Sequence, residues 1–213
     1  MTVTLGTPWI AAPAEELCLD FANTRYWRGT AQPREELAGL GELLGWCAAK
    51  AGLPDAERDA LALWASTEAA AAAALLAEAL ALREALYRLF HAIAAKTAPA
   101  AADLLRLNGA LAHTTPRRAV EPRADGFGWR VAAGEAGAVR LLTPVLWSAG
   151  DLLVGKRLAK VRHCANPDCQ WLFLDDSKSG NRRWCSMSAC GNRAKAHRHY
   201  ARKKGAGGPE TDG

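Results

Sequence analysis

At 213 residues, half of them apolar and 23% charged, the chain has room for one large domain or a medium domain with a small appendage, and its composition excludes global disorder. No run of about 18 apolar residues is free of charge, which excludes a membrane-spanning helix. The formal charge of +5 hides a polarity: residues 1–155 carry 14 basic and 17 acidic side chains, whereas Lys156–Lys204 carries 13 Lys and Arg against three acids, a net +10.

In chain order, Met1–Ile10 lacks a basic stretch leading into an apolar core, so no secretory signal is expected. The segment 15–23, EELCLDFAN, suggests a short helix. Pro33 follows a breaker cluster and suits a helix start. Residues 34–51 place Leu37, Leu40, Leu43 or Leu44, and Cys47 at helical spacing, with Gly52 as the C-terminal cap. Pro54-Asp55 opens a second helical stretch through Trp64. Residues 66–96 form the clearest helix, with a stripe of Leu75, Ala79, Leu82, Leu86, Leu89 and Ile93. Pro99 ends it, and residues 101–111 suggest a further short helix.

The character changes over residues 114–140. Pro116, Pro122, Gly126 and Gly128 break helices, and residues 128–131 and 138–142 predict two strands of a β-hairpin joined by AAGEAG. Residues 144–158 return to helix, expected to connect two domains. The predicted organisation is mainly α. A helical domain with a β-hairpin insertion spans residues 1–155, a small zinc finger of treble-clef or ribbon type spans 156–204, and 205–213 form a glycine-rich disordered tail.

Cys164, Cys169, Cys185 and Cys190 give a C-x4-C, x15, C-x4-C pattern inside the basic segment. Redox pairs usually take the form C-x-x-C, which is absent, and four cysteines in 27 residues are too dense for chance core placement. Without an export route, disulfides are not expected. Structural zinc favours closed all-thiolate tetrahedra, whereas catalytic zinc keeps an open position. One structural Zn2+ is therefore expected on these four residues. Asn166-Pro167-Asp168 is a turn sequence suited to bending around the ion. His163 is set aside as a ligand for a solvated or phosphate-contacting role. A segment of about 40 residues cannot fold by apolar burial alone, so the metal is expected to hold it. Trp171, Phe173 and Trp184 are expected to form its miniature core rather than to stack on bases. Gly191 is expected to permit close backbone packing at the metal.

Residues 186–204 predict a helix of about 27 Å. Arg193, His197, Tyr200 and Lys204 lie on one face, with Lys195, Arg198 and Arg202 beside them and Lys203 extending the charge. Arg182 and Arg183 extend the patch before Trp184, and Asn192 and Arg193 are residue types that pair with adenine and guanine edges. A solvated, solubilising face is the bland alternative. With a metal site fixing the helix, nucleic-acid binding is favoured, DNA ahead of RNA.

The residues 169–177 (CQWLFLDDS), 183–190 (RWCSMSAC) and 190–193 (CGNR) closely resemble the CGNR zinc-finger family, and 17–24 (LCLDFANT) with 82–87 (LREALY) resemble the ABATE domain that accompanies it. The resemblance covers nearly the whole chain. It implies a bacterial stress-induced transcription regulator, with a helical N-terminal domain and a C-terminal finger whose ligands match the four cysteines position by position.

The helical domain is nearly silent on chemistry. Asp20 and Asn23 are candidates for a small-molecule pocket, although hydrogen bonding to a helix end is favoured for Asp20. His91 and His113 are isolated, and no nucleophilic set can be nominated. Cys18 and Cys47 are expected in the core. Trp27, Trp46, Trp64, Trp129 and Trp147 pack the core or frame a ligand cavity. The resulting expectation is a cytoplasmic, non-enzymatic DNA-binding regulator with a possible effector and a possible homodimer. An RNA-binding module and an enzyme with an unrecognised site in the helical domain are the alternatives.

Overall fold

The computed structural model describes residues 4–5, 9–10, 14–117, 119–123, 126–130, 134–135 and 137–196. Two short strands, β1 (Thr4–Leu5) and β2 (Trp9–Ile10), lead to helix α1 (Leu17–Ala22), five of whose six residues are buried. Strand β3 (Arg25–Tyr26) then pairs antiparallel with β4 (Arg34–Glu35). Residues 34–39 are therefore not the start of a helix, as the leucine spacing suggested; helix α2 begins at Leu40 and runs to Lys50. Gly52 closes it with a φ of +74°, a conformation that glycine adopts without penalty.

Helices α3 (Asp55–Thr67), α4 (Ala69–Ala94) and α5 (Ala101–Ala112) follow close to their expected positions. Leu75, Ala79, Leu82, Leu86 and Leu89 of the α4 stripe are buried, with Ile93 packed against the same cluster. Helix α4 is the axis of the domain, touching α1, α2, α3 and α5.

The hairpin differs from expectation. Its strands are β5 (Ala119–Arg123) and β6 (Gly126–Arg130), in register from Ala119 opposite Arg130 to Arg123 opposite Gly126. On its other edge β6 pairs with β2, while β7 (Gly134–Glu135) pairs with β1. The predicted second strand at 138–142 is instead helix α6 (Ala138–Leu141), which runs almost directly into α7 (Thr143–Val154). The run of apolar residues alone does not separate a short strand from a buried helical turn. Helix α7, which leads into the finger segment, is also part of the main core. Val145, Leu146, Ala149 and Leu152 lie at 0–1% exposure in the main core, against α1 and α5.

After a 3₁₀ turn (Lys156–Lys160), strands β8 (Val161–His163) and β9 (Leu172–Leu174) form an antiparallel pair. This pair packs on α4, and β9 also meets α1. Val161, Leu172 and Leu174 belong to the same apolar core as the helices. The finger segment is thus not held by metal alone, as its length suggested, because the helical domain supplies a surface on which its strands are buried.

A buried charge network stiffens this arrangement. Arg83 is 2% exposed, and its guanidinium donates to both carboxylate oxygens of Glu35 and to the Thr24 hydroxyl. Burial on its own would raise the Glu35 carboxyl, but the bonds and charge of Arg83 outweigh it and hold the carboxyl below its usual range. Arg28 donates to Glu84 and rests 3.7 Å above the Tyr87 ring, and the Tyr87 hydroxyl donates to the Gln170 carbonyl at 3.1 Å.

The join is made by Asn23, which is 2% exposed. Its Nδ2 donates to the Leu172 carbonyl at 2.8 Å, and its Oδ1 accepts from the Leu172 N–H at 2.9 Å. One carboxamide thus stands in for a neighbouring strand along the free edge of β9. Removing it leaves a buried N–H and a buried C=O unpaired, each expensive to desolvate. In urea titrations of the zinc-loaded protein followed by circular dichroism, Asn23→Ala is expected to lose about 2–4 kcal/mol of stability. Asn23→Asp keeps only the acceptor and should also be weakened. Stability equal to wild type in both variants would show that Asn23 does not join the two parts.

Candidate metal centre and nucleic-acid interface

Asn166 builds the first half of the site. Its Oδ1 accepts from the Asp168 N–H at 3.1 Å, and its carbonyl accepts from the N–H groups of Cys169 and Gln170. The turn so formed returns the chain after only four residues, with Gln170 at a φ of +55°. Cys164 is tied to the same knuckle by its N–H, which donates to the Trp171 carbonyl at 2.8 Å.

The second half is a tight loop followed by a wide helical turn. Asp175 accepts from the Ser177 and Arg182 N–H groups and from the Ser177 hydroxyl, which shapes the loop that brings Arg183 and Trp184 back towards the knuckle. The Arg183 carbonyl accepts from the Ala165 N–H at 2.8 Å. Residues Met187–Gly191 form a π-helical turn closed by the Gly191 N–H on the Ser186 carbonyl, and residues 192–196 continue as α-helix. The wide turn carries Cys190 inward. A Cβ on Gly191 would lie 2.8 Å from the Met187 Sδ, so the crowding at Gly191 is with a flexible side chain.

Between these halves the four cysteine sulfurs all lie within 4.8 Å of one another. Cys169 and Cys185 are 3.7 Å apart, and Cys185 and Cys190 3.8 Å. A tetrahedral zinc with Zn–S bonds of about 2.3 Å demands edges of about 3.8 Å. Three of the four residues are buried and none is disulfide-bonded. A hydrogen bond from Cys185 pulls the Cys169 thiol down to about 5, while Cys185, holding that proton, and Cys190, by burial, are pushed up. All four can be ionised at this spacing only with a cation among them. The Asn166 Nδ2 donates to the Cys190 sulfur at 3.6 Å, a support for the ligand shell that the turn sequence did not reveal.

The quartet fits one structural zinc ion, with no fifth His, Cys, Asp or Glu donor in the cluster among the described residues. His163 stands outside it, its ring 4.8 Å from that of His91. Cys18 and Cys47 are core thiols, each pushed up to about 12 by burial.

The finger docks on the helical domain through the knuckle. The Gly29 N–H donates to the Asp168 carbonyl at 3.2 Å. A Cβ on Gly29 would stand 1.7 Å from the Pro167 carbonyl oxygen, a collision with backbone that no side-chain adjustment relieves. Trp27 lies against the cysteine cluster, with the Arg193 guanidinium 4.8 Å from the centre of its ring. Neither contact was visible in the sequence.

The predicted nucleic-acid residues fall into three groups. Arg183, Asn192, Arg193 and Lys195 are exposed on the finger. Arg182 is folded back, donating to the Trp184 and Cys185 carbonyls with its guanidinium 4.6 Å from the Phe173 ring centre. His197, Arg198, Arg202, Lys203 and Lys204 lie outside the described residues. Asp20 is paired with Lys50 at 3.5 Å. Both Asp20 and Asn23 line a cleft of about 460 Å3, although the Asn23 carboxamide is used by Leu172. Of the aromatics, Phe173 is buried, whereas Trp171 and Trp184 flank the cysteines half-exposed. Trp129 packs on Trp147, Trp64 joins the main core, and Trp46 sits by Phe21.

A knuckle, a strand pair and a helical turn closed around four thiolates define a zinc-finger protein, here joined to a mainly α domain. Residues 160–203 match the CGNR zinc finger. Residues 15–156 match the ABATE family, described as "putative stress-induced transcription regulator", and the chain belongs to that family. No curated protein matches it. No described helix is long and apolar enough to cross a membrane.

Metal analysis of the purified protein should give one zinc per chain. Strong chelation or Cys185→Ser should release it and loosen the finger, read as new solvent exposure of Trp171 and Trp184 in fluorescence while the helical signal largely persists. Unchanged fluorescence after complete zinc loss would show that the metal does not organise this segment.

Proposed function

We propose that the protein is a non-enzymatic, cytoplasmic transcription regulator whose finger binds duplex DNA, the helical domain serving as sensor or dimerisation unit. The observation that carries this reading is the state of the finger's cations. Arg157 and Lys160 are ion-paired with Asp176. The side chains of Arg162, Lys178, Arg182, Arg183, Arg193 and Lys195 make no ion pair with a carboxylate among the described residues, although the charge of Arg162 acts on Asp175. A surface that leaves its arginines unpaired is suited to phosphates, whose counterions are released on binding.

Two clefts concentrate this charge. One, of about 320 Å3, runs along the seam with α4 between Arg162, His163, Arg182 and Arg183, and no acid lines it. The other, of about 450 Å3, lies beside the zinc knuckle between Trp184, Arg183 and Arg193, with Asp168 as its one acid. The exposed helical segment carrying Asn192, Arg193 and Lys195 adjoins the second, and a helix of this kind fits a major groove.

Fluorescence anisotropy with labelled duplex DNA tests the reading. Affinity should fall steeply with salt, and Arg183→Gln and Lys195→Gln should each reduce the slope of log K against log salt by about 1. A stronger preference for single-stranded RNA would transfer the function to the RNA alternative. Binding that ignores salt and both substitutions would remove nucleic acid as the partner of this surface.

A further inference from the structure

The geometry points to a binding site for a small organic cation in the cleft between α1, α2, β3 and the finger. The inference rests on the reading of the helical domain as a sensor, and not on what the finger binds. The cleft, of about 460 Å3, is walled by three aromatic residues from three parts of the chain: Tyr26 of β3, Trp46 of α2 and Trp171 of the finger. The rings are held in place. Tyr26 and Trp171 lie 5.1 Å apart between centroids, and Trp46 is backed by Phe21 at the same distance. Aromatic faces attract cations through their quadrupole, and several rings around one pocket suit an alkylated ammonium.

The charge on the cleft points the same way. Asp20, Glu36 and Glu42 line it against a single ammonium, Lys50, which Asp20 already takes. Neither Glu36 nor Glu42 has a cationic partner among the described residues. Glu36 is instead fixed by the Tyr26 hydroxyl, which donates to it at 2.7 Å. Burial, and then Glu36 itself, push that hydroxyl up to about 12, so it keeps its proton and goes on donating. Arg34, the cross-strand partner of Tyr26, does not line the cleft. An anion would be repelled here, and an uncharged ligand would gain nothing from the two solvent-facing carboxylates. An organic cation satisfies rings and carboxylates together.

The site also spans the junction. Trp171 carries the carbonyl that holds the Cys164 N–H, and the next residue, Leu172, is the one spliced to Asn23. A cation seated against Trp171 and Tyr26 touches finger and helical domain at once. Its binding stabilises the docked arrangement by linkage, increasingly as its concentration rises above its dissociation constant.

The test titrates the zinc-loaded full chain with tetramethylammonium, choline and spermidine, and with 3,3-dimethylbutan-1-ol, the uncharged isostere of choline. Calorimetry and tryptophan fluorescence supply the readouts. At least one of the three cations should saturate a single site, and the isostere should bind about tenfold more weakly or not at all. Glu42→Gln, at an exposed position, and Trp171→Ala should each weaken the cation several-fold. If Trp171→Ala unfolds, Glu42→Gln and Glu36→Gln decide the matter. Three cations that fail to saturate at millimolar concentration, an isostere that binds equally well, or carboxylate variants that bind as wild type would each overturn the site. No nucleic acid is present in the titration, so its failure leaves the proposed DNA-binding role untouched, and failure of DNA binding leaves this result intact.

Discussion

A two-stranded pair such as β8 and β9 has two open edges, and buried backbone groups on such an edge must find partners. One strand is three residues long and so is the other, too short to stand as an independent sheet. The Asn23 carboxamide resolves this by presenting one acceptor and one donor to Leu172 in the spacing of a neighbouring strand. Because Asn23 lies at the end of α1, whose Leu17, Cys18, Phe21 and Ala22 are packed in the core, its position is set by the helical domain. The edge of the finger is therefore registered against that core before any metal is considered. Zinc then fixes the far side of the same hairpin through Cys164 and Cys169.

The two sequence segments that mark the helical domain converge on this seam. In LCLDFANT, Asn23 takes Leu172 and the Thr24 hydroxyl meets Arg83. In LREALY, Arg83 holds Glu35, Glu84 holds Arg28, and Tyr87 reaches Gln170. Arg28 sits on Tyr87 and also donates to the Ala22 carbonyl, binding the β3 approach to α1 and α4 together. A pattern that looks like a helix signature is, in physical terms, largely the socket for the finger. Burying Arg83 is tolerable only because both of its flanking carboxylates are present.

What could be read in advance follows the same division. The cysteine quartet was legible because ligand spacing is local, and α4 because an apolar stripe over about five turns, from Leu75 to Ile93, has one helical solution. The course of residues 34–39 was not legible: Leu37 fits a helical spacing, but Glu35 is drawn to Arg83, 48 residues away, and the segment pairs as a strand. The hairpin was placed at the right region with the wrong partner. Pro122 and Gly126 look like breakers, yet both sit in the β5–β6 ladder, while the apolar 138–142 is claimed by the core. Asn23 is a pocket candidate in the sequence, but its partner 149 residues away carries no local signal.

The docking also bears on how the cations of the finger are presented. Arg193 ends the Cys-Gly-Asn-Arg run and is exposed, yet its guanidinium already lies over Trp27 of the helical domain. A guanidinium stacked on an indole keeps its charge and its in-plane N–H donors, and loses rotamer freedom. It is thereby aimed while still able to meet a phosphate or a base edge. Gly29, which leaves no room for a side chain against Pro167, brings Trp27 near enough for this. The direction in which the helical segment leaves Cys190 is consequently set from both ends, by thiolate geometry inside the finger and by an aromatic from outside it. A change in how the helical domain seats Trp27 or Trp171 would be transmitted directly to the cationic surface, with no hinge between the two.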